Sequence, residues 1–252
     1  MNLLEALLER DLAQNEQEAR GLILAGKVLV NDVPVDKTGH RISASDKIRV
    51  RGLRNFVSRA GDKLQAALEA FTFPVAGRHF LDVGASTGGF TDALLRSGAA
   101  SVAAIDVGKG LLHNRLRTDN RVQVLEDCDF RKLSPEQLQH TPEAFVADVS
   151  FTSLLTMMEH AFALIHEKAR PREGIVLFKP QFELPRGERE MLQKGILTDE
   201  PRALRLIDEF GNALQPLGID IKARLASPVR GTKGNQEYLL HLQKPNRSLL
   251  ND

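Results

Sequence analysis

The sequence contains little cysteine and no long apolar run, and each absence excludes a class of protein. Cys128 is the single cysteine among 252 residues, so no disulfide bond can form within the chain and a reducing compartment is expected. No apolar run approaches the roughly 20 residues of a membrane-spanning helix. The first residues include Glu5, Glu9 and Asp11, which excludes a secretory signal peptide. The sequence therefore predicts a soluble, cytoplasmic protein with no membrane partner.

An excess of charge of either sign is also missing. The formal net charge is +1 at pH 7, which does not favour a nucleic-acid partner, because contacts to phosphate need Lys and Arg. A basic face can still form when the acidic residues lie elsewhere, so the net charge leaves the partner open. No cluster of His and Cys has the spacing of metal ligands, and we expect no bound metal.

Residues 1–50 have the pattern of a small α+β domain. Apolar residues recur at helical spacing in two segments, Leu3, Leu7, Leu8 and Leu12 in the first and Ala19, Leu22, Ile23 and Leu24 in the second. Gly26 is placed to end the second helix. Residues 27–30 and 47–50 alternate like short strands, and Asn31-Asp32 supplies a turn. A module of this size can bury only a small core of its own.

The run ARGLILAGKVLVNDVPVDKTGHRI, which begins at Ala19, resembles the S4 RNA-binding domain. The resemblance implies an RNA partner for residues 1–50. One departure is Asn2, which stands where the family commonly has a basic residue at the start of the first helix. Four basic side chains are expected to face RNA, although for each one alone a solvated surface is the simpler interpretation: Arg20, Lys27, Lys37 and Arg41.

From Ser58 onward, helical patterns alternate with apolar strands. Residues 51–57 are predicted to form a linker, 58–245 a second domain and 246–252 a tail. Ser58 can cap a helix that carries one apolar stripe. The alternation predicts an α/β domain, Rossmann-like, whose mostly parallel sheet is covered by helices on both sides. The predicted strands are His79–Val83, Ser101–Val107, Gln123–Glu126, Ala144–Asp148 and Ile175–Lys179.

A glycine-rich run follows the first of these strands and opens a helix, which is the context that a cofactor loop requires. Its glycines, at 84, 88 and 89, lack the spacing of a dinucleotide-binding loop, and no Gly-Lys-Ser/Thr ending of a nucleoside-triphosphate loop follows. The layout instead suits a methyltransferase loop that binds S-adenosylmethionine. The alternative is a glycine turn without a ligand. The candidate cofactor-binding residues are Asp82, Gly84, Ala85, Ser86, Thr87, Gly88, Gly89 and Phe90.

Three acidic residues at later strand ends extend this candidate cofactor site. Asp106 lies at the end of the second strand, where a carboxylate can accept hydrogen bonds from ribose hydroxyls. Asp129 follows the third strand and is a candidate for binding the adenine amino group. Asp148 ends the fourth strand. Strand-end acids also cap helices in proteins that bind no cofactor, so that alternative stays open.

Two lysines and two acids lie where a parallel α/β fold places its chemistry, beyond the carboxyl ends of the strands. Asp148 and Lys179 end consecutive predicted strands, Lys63 lies on the helix before the glycine-rich run, and Glu237 begins a late strand. Lysine is seldom buried without a partner. Each residue alone is more often structural than catalytic. Together, in this order after a methyltransferase loop, the four indicate a catalytic site.

The chain is similar to the TlyA-type proteins, in which an S4 domain precedes an FtsJ-like methyltransferase domain. The matching runs are FVSRAGDKL, LDVGASTGGFTD, AIDVGKG, DVSFTSL, FKPQFE, KGI, SPVRG and GNQEYLL. The resemblance implies 2′-O-methylation of a ribose, that of a cytidine, in 23S and, for some members, 16S ribosomal RNA. It assigns a catalytic tetrad, Lys63, Asp148, Lys179 and Glu237. Lys179 would act as the base, Lys63 would position the hydroxyl, and the two acids would orient the amines. Arg59, in the first run, is a further candidate for contact with RNA.

The expected partners are ribosomal RNA or ribosomal subunits, and not DNA, because the target is a 2′-hydroxyl. The chain begins almost at its first predicted helix, without a basic arm, which favours activity on 23S RNA alone. The family's older haemolysin name supplies a second hypothesis, a membrane-active protein, which the lack of a strongly cationic amphipathic helix disfavours. A third hypothesis is an RNA-binding protein that holds the cofactor without turnover.

Overall fold

The computed structural model describes residues 1–10, 12–13, 15–51, 56–150, 153–169 and 171–245. The chain separates into two compact units, Met1–Asn55 and Phe56–Asp252. The linker predicted at residues 51–57 straddles this division. Its residues 52–55 lie outside the described residues, as does the predicted tail, 246–252. Phe56 and Val57 were predicted to lie in the linker, and both pack against the apolar core of the second unit.

The first unit consists of two helices and a three-stranded antiparallel sheet with strand order β2-β1-β3. Its elements are α1 (Leu3–Glu9), α2 (Glu16–Leu24), β1 (Val28–Val30), β2 (Val33–Pro34) and β3 (Ile48–Val50). Leu3, Leu7 and Ile23 are completely buried in its core. Leu24 was predicted on the apolar face of the second helix but is 67% exposed, because it lies at the end of α2, where the chain turns away.

Two predicted backbone features of the first unit are confirmed. Asn31 and Asp32 both have positive φ angles, 51° and 67°, as a tight hairpin turn between β1 and β2 requires. The Asn31 side chain donates a hydrogen bond to Asp46 Oδ1 at 2.9 Å, which ties the turn to the segment before β3. Gly26, with a φ of 64°, follows the C-terminus of α2 in the left-handed conformation that glycine adopts at low cost.

The second unit contains a seven-stranded sheet with the order β11-β12-β8-β7-β4-β5-β6. Strands β4 to β8 are parallel, and β12 pairs antiparallel with both β8 and β11, so the predicted mostly parallel sheet is confirmed. Its strands are β4 (His79–Val83), β5 (Ser101–Ile105), β6 (Val122–Leu125), β7 (Ala144–Ala147), β8 (Arg172–Phe178), β11 (Asp220–Ala226) and β12 (Tyr238–Lys244). A separate two-stranded hairpin consists of β9 (Leu192–Gln193) and β10 (Ile196–Leu197).

Helices cover both faces of this sheet. Successive buried residues of each strand point to opposite faces and belong to two separate apolar clusters, so each face needs helices to bury it. One face packs against α3 (Arg59–Ala70) and α4 (Gly89–Arg96), and the other against α6 (Leu155–Leu164) and α8 (Glu200–Leu214). Two short helices, α5 (Asn114–Arg117) and α7 (Pro180–Glu183), and four 3₁₀ turns complete the unit, at Phe130–Lys132, Pro135–Gln137, Arg186–Met191 and Gln215–Leu217. Within the described part of the chain, no helix is both long and apolar enough to cross a membrane.

The strand order reverses direction between β4 and β7. From β4 the chain proceeds outward through β5 and β6, then returns to place β7 and β8 on the other side of β4. In open α/β sheets, ligands bind beyond the carboxyl ends of the strands at such a switch point. Gly84 and Asp148 directly follow the two strands that meet there.

Candidate active site

The glycine-rich loop occupies the switch point in a conformation that needs glycine. Gly84 has a φ of 80°, and a β-carbon at this position would lie 2.7 Å from the carbonyl oxygen of Asp148. Gly88 has a φ of 90° and precedes the first turn of α4 without any side-chain cap. Substitution of either glycine would strain the backbone. A β-carbon at Gly84 would also push apart the ends of β4 and β7, and one at Gly88 would clash with the side chains of Leu112 and Leu116. The loop is therefore fitted closely between its neighbours.

A cavity of about 190 Å³ lies beside this loop, and we call it the loop cavity. It brings together seven of the predicted cofactor-binding residues, namely Gly84, Ala85, Ser86, Thr87, Gly89, Phe90 and Asp148. Its remaining lining residues are Ser58, Ala60, Ser150 and Lys179. Ser58 caps α3 by accepting a hydrogen bond from the Ala60 N–H at 3.3 Å. The start of α3 therefore forms one wall of the cavity.

Asp106 and Asp82 flank the loop without lining this cavity. Asp106 accepts hydrogen bonds from the backbone N–H groups of Ser86, at 2.8 Å, and Gly108, at 2.7 Å. Asp82 is completely buried and accepts a hydrogen bond from the Thr91 hydroxyl at 2.6 Å. Burial raises the pKa of Asp82 to about 7, and the nearby charges of Asp148 and Asp106 act in the same direction. Its Oδ1 atom has no hydrogen-bond partner among the described residues.

Asp129, predicted to bind adenine, has an internal partner. Both of its carboxylate oxygens pair with the Arg131 guanidinium, at 2.9 and 2.8 Å. Hydrogen bonds from this side chain lower the pKa of Asp129 to about 2. The carboxylate also caps the 3₁₀ turn that follows, which is the structural alternative that the sequence left open. Asp129 is not among the residues that line the loop cavity.

Glu126 supports the loop region and was missed from the sequence. It accepts hydrogen bonds from the backbone N–H groups of Gly110, Leu111 and Leu112, at 2.8, 2.9 and 3.1 Å, and pairs with Arg117 at 2.7 Å. These donors, led by Arg117, lower the pKa of Glu126 to about 2. The acid thereby fixes a segment that packs against the glycine-rich loop. No periodic pattern could have shown this role, because it depends on a loop conformation.

The charges around the loop cavity suit a cationic cofactor. Asp82, Asp106 and Asp148 lie close enough for their charges to interact, and the loop glycines leave room for a ligand to approach the backbone. S-adenosylmethionine carries a positive sulfonium and a positive amino group, both of which carboxylates attract. The pyrophosphate of a dinucleotide would be repelled by the same groups. The residues present therefore fit S-adenosylmethionine.

The four predicted catalytic residues form two ion pairs, and the first of these lies at the switch point. Lys179 follows β8, is 9% exposed, and places Nζ 2.6 Å from Asp148 Oδ1. The same amine donates a hydrogen bond to Ser150 Oγ at 2.8 Å. Asp148 follows β7, the parallel neighbour of β8, so the carboxyl ends of two adjacent strands bring the pair together.

The second buried pair joins α3 to β12. Lys63 Nζ donates to Glu237 Oε2 at 2.5 Å, and the two residues are 8% and 4% exposed. Because Tyr238 pairs with Phe178 in the antiparallel register, Glu237 and Lys179 lie at the same edge of the sheet. A β-carbon on Gly231 would come within 2.4 Å of Glu237 Oε1, so the loop before β12 packs closely around this carboxylate. The four predicted catalytic residues thus form two ion pairs at one edge of the sheet.

A larger cavity, about 540 Å³, is also lined by Lys179, and we call it the second cavity. Lys179 and Ser150 line both cavities. The other residues that line the second cavity are Gln181, Phe182, Arg189, Leu192, Gly195, Gly231, Thr232, Lys233, Asn235 and Glu237. Apart from Glu237, none of these was singled out from the sequence. Gln181 and Phe182 follow Lys179 and Pro180 in the FKPQFE run, and Gly195, Gly231 and Asn235 lie in the runs KGI, SPVRG and GNQEYLL. These runs are the signal that could have pointed to them.

The predicted RNA-contacting residues are distributed over both units, and all five are exposed. In the first unit these are Arg20, Lys27, Lys37 and Arg41. Arg20 also pairs with Glu16 at 2.7 Å. Arg59 lies at the start of α3 in the second unit. Exposure of the charged groups leaves them accessible to phosphate.

Comparison with known proteins identifies both units. The S4 domain model matches residues 3–48, and the FtsJ-like methyltransferase model matches residues 56–244. A Mycobacterium tuberculosis protein named 16S/23S rRNA (cytidine-2′-O)-methyltransferase TlyA is 41% identical over 94% of this chain and 87% of its own length. Hemolysin A of Brachyspira hyodysenteriae is 37% identical over 96% of this chain and 99% of its own.

A solved structure shows the same likeness. A Streptococcus thermophilus protein described as a hemolysin superposes with a TM-score of 0.72 at 31% identity, covering 98% of this chain and 89% of that one. The two family models match the two compact units in order, and the relatives align over nearly the whole chain. The chain therefore belongs to the TlyA-type family of FtsJ-like methyltransferases that carry an N-terminal S4 domain.

Proposed function

We propose that this protein transfers a methyl group from S-adenosylmethionine to the ribose 2′-oxygen of a cytidine in ribosomal RNA. The observation that carries the proposal is the position of Lys179, which lines both the loop cavity and the second cavity. A methyl donor in the first and an acceptor nucleotide in the second would meet at this amine. The substrate is inferred from the cytidine-2′-O-methyltransferase name of the mycobacterial relative.

The loop cavity would hold the cofactor, which supplies a methyl group activated by a positively charged sulfur. The loop from Gly84 to Phe90 would contact it through the backbone. Each Asp106 oxygen accepts one backbone N–H and keeps a lone pair for a ribose hydroxyl. Asp129 would bind the adenine amino group only by sharing an oxygen with Arg131. Asp82, completely buried, would support the loop through its hydrogen bond with the Thr91 hydroxyl.

The two ion pairs would divide the work on the acceptor. A ribose hydroxyl needs a base, and Lys179 in its neutral form would take the proton. Asp148 and Ser150 hold that amine in place, at 2.6 and 2.8 Å. Lys63, fixed by Glu237, would position the hydroxyl. Proton transfer of this kind contributes about 10²–10⁴-fold in rate, and positioning supplies much of the remainder.

The first unit would bring RNA to the site. An S4 domain with exposed Arg20, Lys27, Lys37 and Arg41 provides cations for phosphate contacts, and Arg59 adds one on the second unit. Free ribosomal RNA or a ribosomal subunit would be the partner, with 23S RNA as the first target and 16S RNA as the second one to test. DNA lacks the 2′-hydroxyl and is not a substrate. With a ribosomal substrate, the protein would act in the cytoplasm.

The test is methyl transfer from radiolabelled S-adenosylmethionine to ribosomal RNA, free and in subunits, followed by nuclease digestion and nucleotide separation. Wild-type protein should release the label as 2′-O-methylcytidine. Lys179→Ala should release about 10²–10⁴-fold less of it while still binding the cofactor. The control is Lys222→Ala, which removes an exposed lysine of β11 and should retain full activity. Label on a base atom, or equal transfer by Lys179→Ala, would refute the proposal.

A further inference from the structure

The second cavity has the size and chemistry of a nucleotide-binding site. Its volume, about 540 Å³, falls within the roughly 300–1,000 Å³ of typical ligand sites. Lys179 and Glu237 form its polar end, and Phe182 and Leu192 contribute apolar surface. The Lys179 amine lies 6.0 Å from the centre of the Phe182 ring. A base against the ring would therefore leave its sugar near the amine.

Two exposed cations line this cavity. Arg189 and Lys233 line it from different segments, the 3₁₀ turn before β9 and the loop before β12. Among the residues that the structure describes, neither has an acidic side chain within ion-pair distance, whereas the other two charged lining residues, Lys179 and Glu237, are each paired. The rim therefore carries two uncompensated positive charges.

Both cations are carried by segments that are firmly anchored. Arg202, 6% exposed, binds Glu188 with Nε at 2.5 Å and Nη2 at 3.1 Å, which fixes the residue next to Arg189. The Asn235 side chain donates to the Gly195 carbonyl and accepts from the Leu197 N–H, both at 2.9 Å. That amide joins the hairpin β9–β10 to the loop of Lys233. A cation on an anchored segment loses less entropy when it binds an anion than a cation on a freely moving segment.

We propose that the second cavity binds the acceptor nucleotide and that Arg189 and Lys233 bind the phosphate groups on its two sides. The inference rests on the proposed methylation of RNA and names the groups that hold the acceptor strand. Phosphate is the anion that an RNA strand presents at both sides of every ribose. Guanidinium and ammonium groups on opposite segments can each take one phosphate. The ribose between them would be centred at Lys179.

The experiment compares the full-length wild-type protein with the double variant Arg189→Gln/Lys233→Gln. The probe is a short single-stranded oligocytidylate, and its affinity is measured over a series of salt concentrations. The slope of log affinity against log salt should fall by about 1.4, or 0.7 for each lost phosphate contact. Affinity at low salt should fall about tenfold or more. The matched control is Lys222→Gln/Arg224→Gln on β11, which removes the same charge and should leave the slope unchanged.

Methyl transfer to ribosomal RNA supplies an independent readout. In the double variant the KM for RNA should rise while kcat at saturating RNA and the affinity for S-adenosylmethionine stay at wild-type values. A wild-type salt slope in the double variant, or an equal change in the control, would overturn the phosphate site. So would a loss of kcat with unchanged KM. If the wild-type protein transferred no methyl group, the proposed function would fail, and oligocytidylate binding would still decide the phosphate site.

Discussion

Strand β8 has a buried charged cluster at each of its ends, and the two clusters differ in what surrounds them. At the amino end, Glu173, 2% exposed, pairs with Arg78 at 2.8 Å and with His241 at 2.9 Å. At the carboxyl end, Lys179 pairs with Asp148 at 2.6 Å. The residues of both clusters are largely withdrawn from water, so burial and pairing alone do not distinguish them.

The amino-end cluster is closed on itself. Arg78 donates further hydrogen bonds to the carbonyl groups of Pro74, at 2.8 Å, and Glu143, at 3.0 Å. The His241 ring packs against Phe71 and Phe73. The donors of the Arg78 guanidinium are directed at the protein itself, and aromatic rings cover the cluster. Such a cluster stabilises the fold and offers little to a substrate.

The carboxyl-end cluster is open. Lys179 and Ser150 face two cavities, and the second ion pair, Lys63 with Glu237, presents its carboxylate to the larger one. The comparison teaches that a buried ion pair indicates a functional site when a cavity reaches it. Substitutions at the carboxyl end of β8 should therefore reduce activity, and substitutions at the amino end should reduce stability.

The largest effect is expected for Lys179→Arg. A guanidinium keeps the positive charge beside Asp148 but does not release its proton in a protein. Methyl transfer should therefore fall by about 10²–10⁴-fold, while cofactor binding and the unfolding midpoint change little. Single-turnover methyl transfer and urea unfolding measure the two quantities. Near-normal activity in this variant would show that Lys179 holds charge and does not accept a proton.

The same substitution at both ends, glutamate to glutamine, tests the comparison directly. Glu173→Gln leaves Arg78 buried without its counter-charge and should lower the free energy of unfolding by about 3–5 kcal/mol, with kcat of the folded protein unchanged. Glu237→Gln should lower kcat about 10²-fold, since Lys63 is no longer held in place. Its stability cost should be smaller, because Glu237 holds one side chain, Lys63, whereas Glu173 holds both Arg78 and His241. Equal losses of stability and activity in both variants would contradict the comparison.

Asp82 is a third buried charge and, unlike the two clusters, has no ion-pair partner among the described residues. Its folded-state pKa, raised by burial from 3.8 to about 7, means that the folded protein holds this proton more tightly than the unfolded chain. The stability that the proton contributes is complete below about pH 4 and is lost as the pH rises through 7, by up to about 4 kcal/mol. Asp82→Asn should remove this loss. Urea unfolding of the wild-type protein and of Asp82→Asn at pH 5 to 8 measures this pH dependence. If the free energies of unfolding of the two proteins changed in parallel with pH, the prediction would be refuted.

Much of the site was predictable because it lies at the ends of regular strands. Asp148 and Lys179 follow apolar runs of a parallel sheet, and the topology alone brings such strand ends to one edge. The glycines of the loop were predictable for a similar reason, since a strand, a turn and a helix follow one another in a short segment. The mostly parallel sheet was predicted from the alternation of strands and helices alone, and the structure confirms it.

What the sequence did not show depends on side chains meeting across loops. Asp129 was predicted at the cofactor, and its carboxylate pairs with the Arg131 guanidinium at 2.8 Å. Arg189 and Lys233 reach the second cavity from segments far apart in sequence, beside strands of two residues that are too short to show any periodicity. The periodicity of strands and helices carries no information about such side-chain contacts.

The smallest effect is expected for Arg224→Ala, which provides the baseline for both clusters. Arg224 pairs with Asp208 at 3.3 Å, and the two side chains are 50% and 69% exposed. An exposed pair contributes about 0–1 kcal/mol because water and salt screen it. The free energy of unfolding should therefore change by well under the cost of Glu173→Gln, and methyl transfer should not change at all. If Arg224→Ala were as costly as Glu173→Gln, pairing and not burial would explain the amino-end cluster. In that case the distinction between a closed cluster and an open one would rest on the cavities alone.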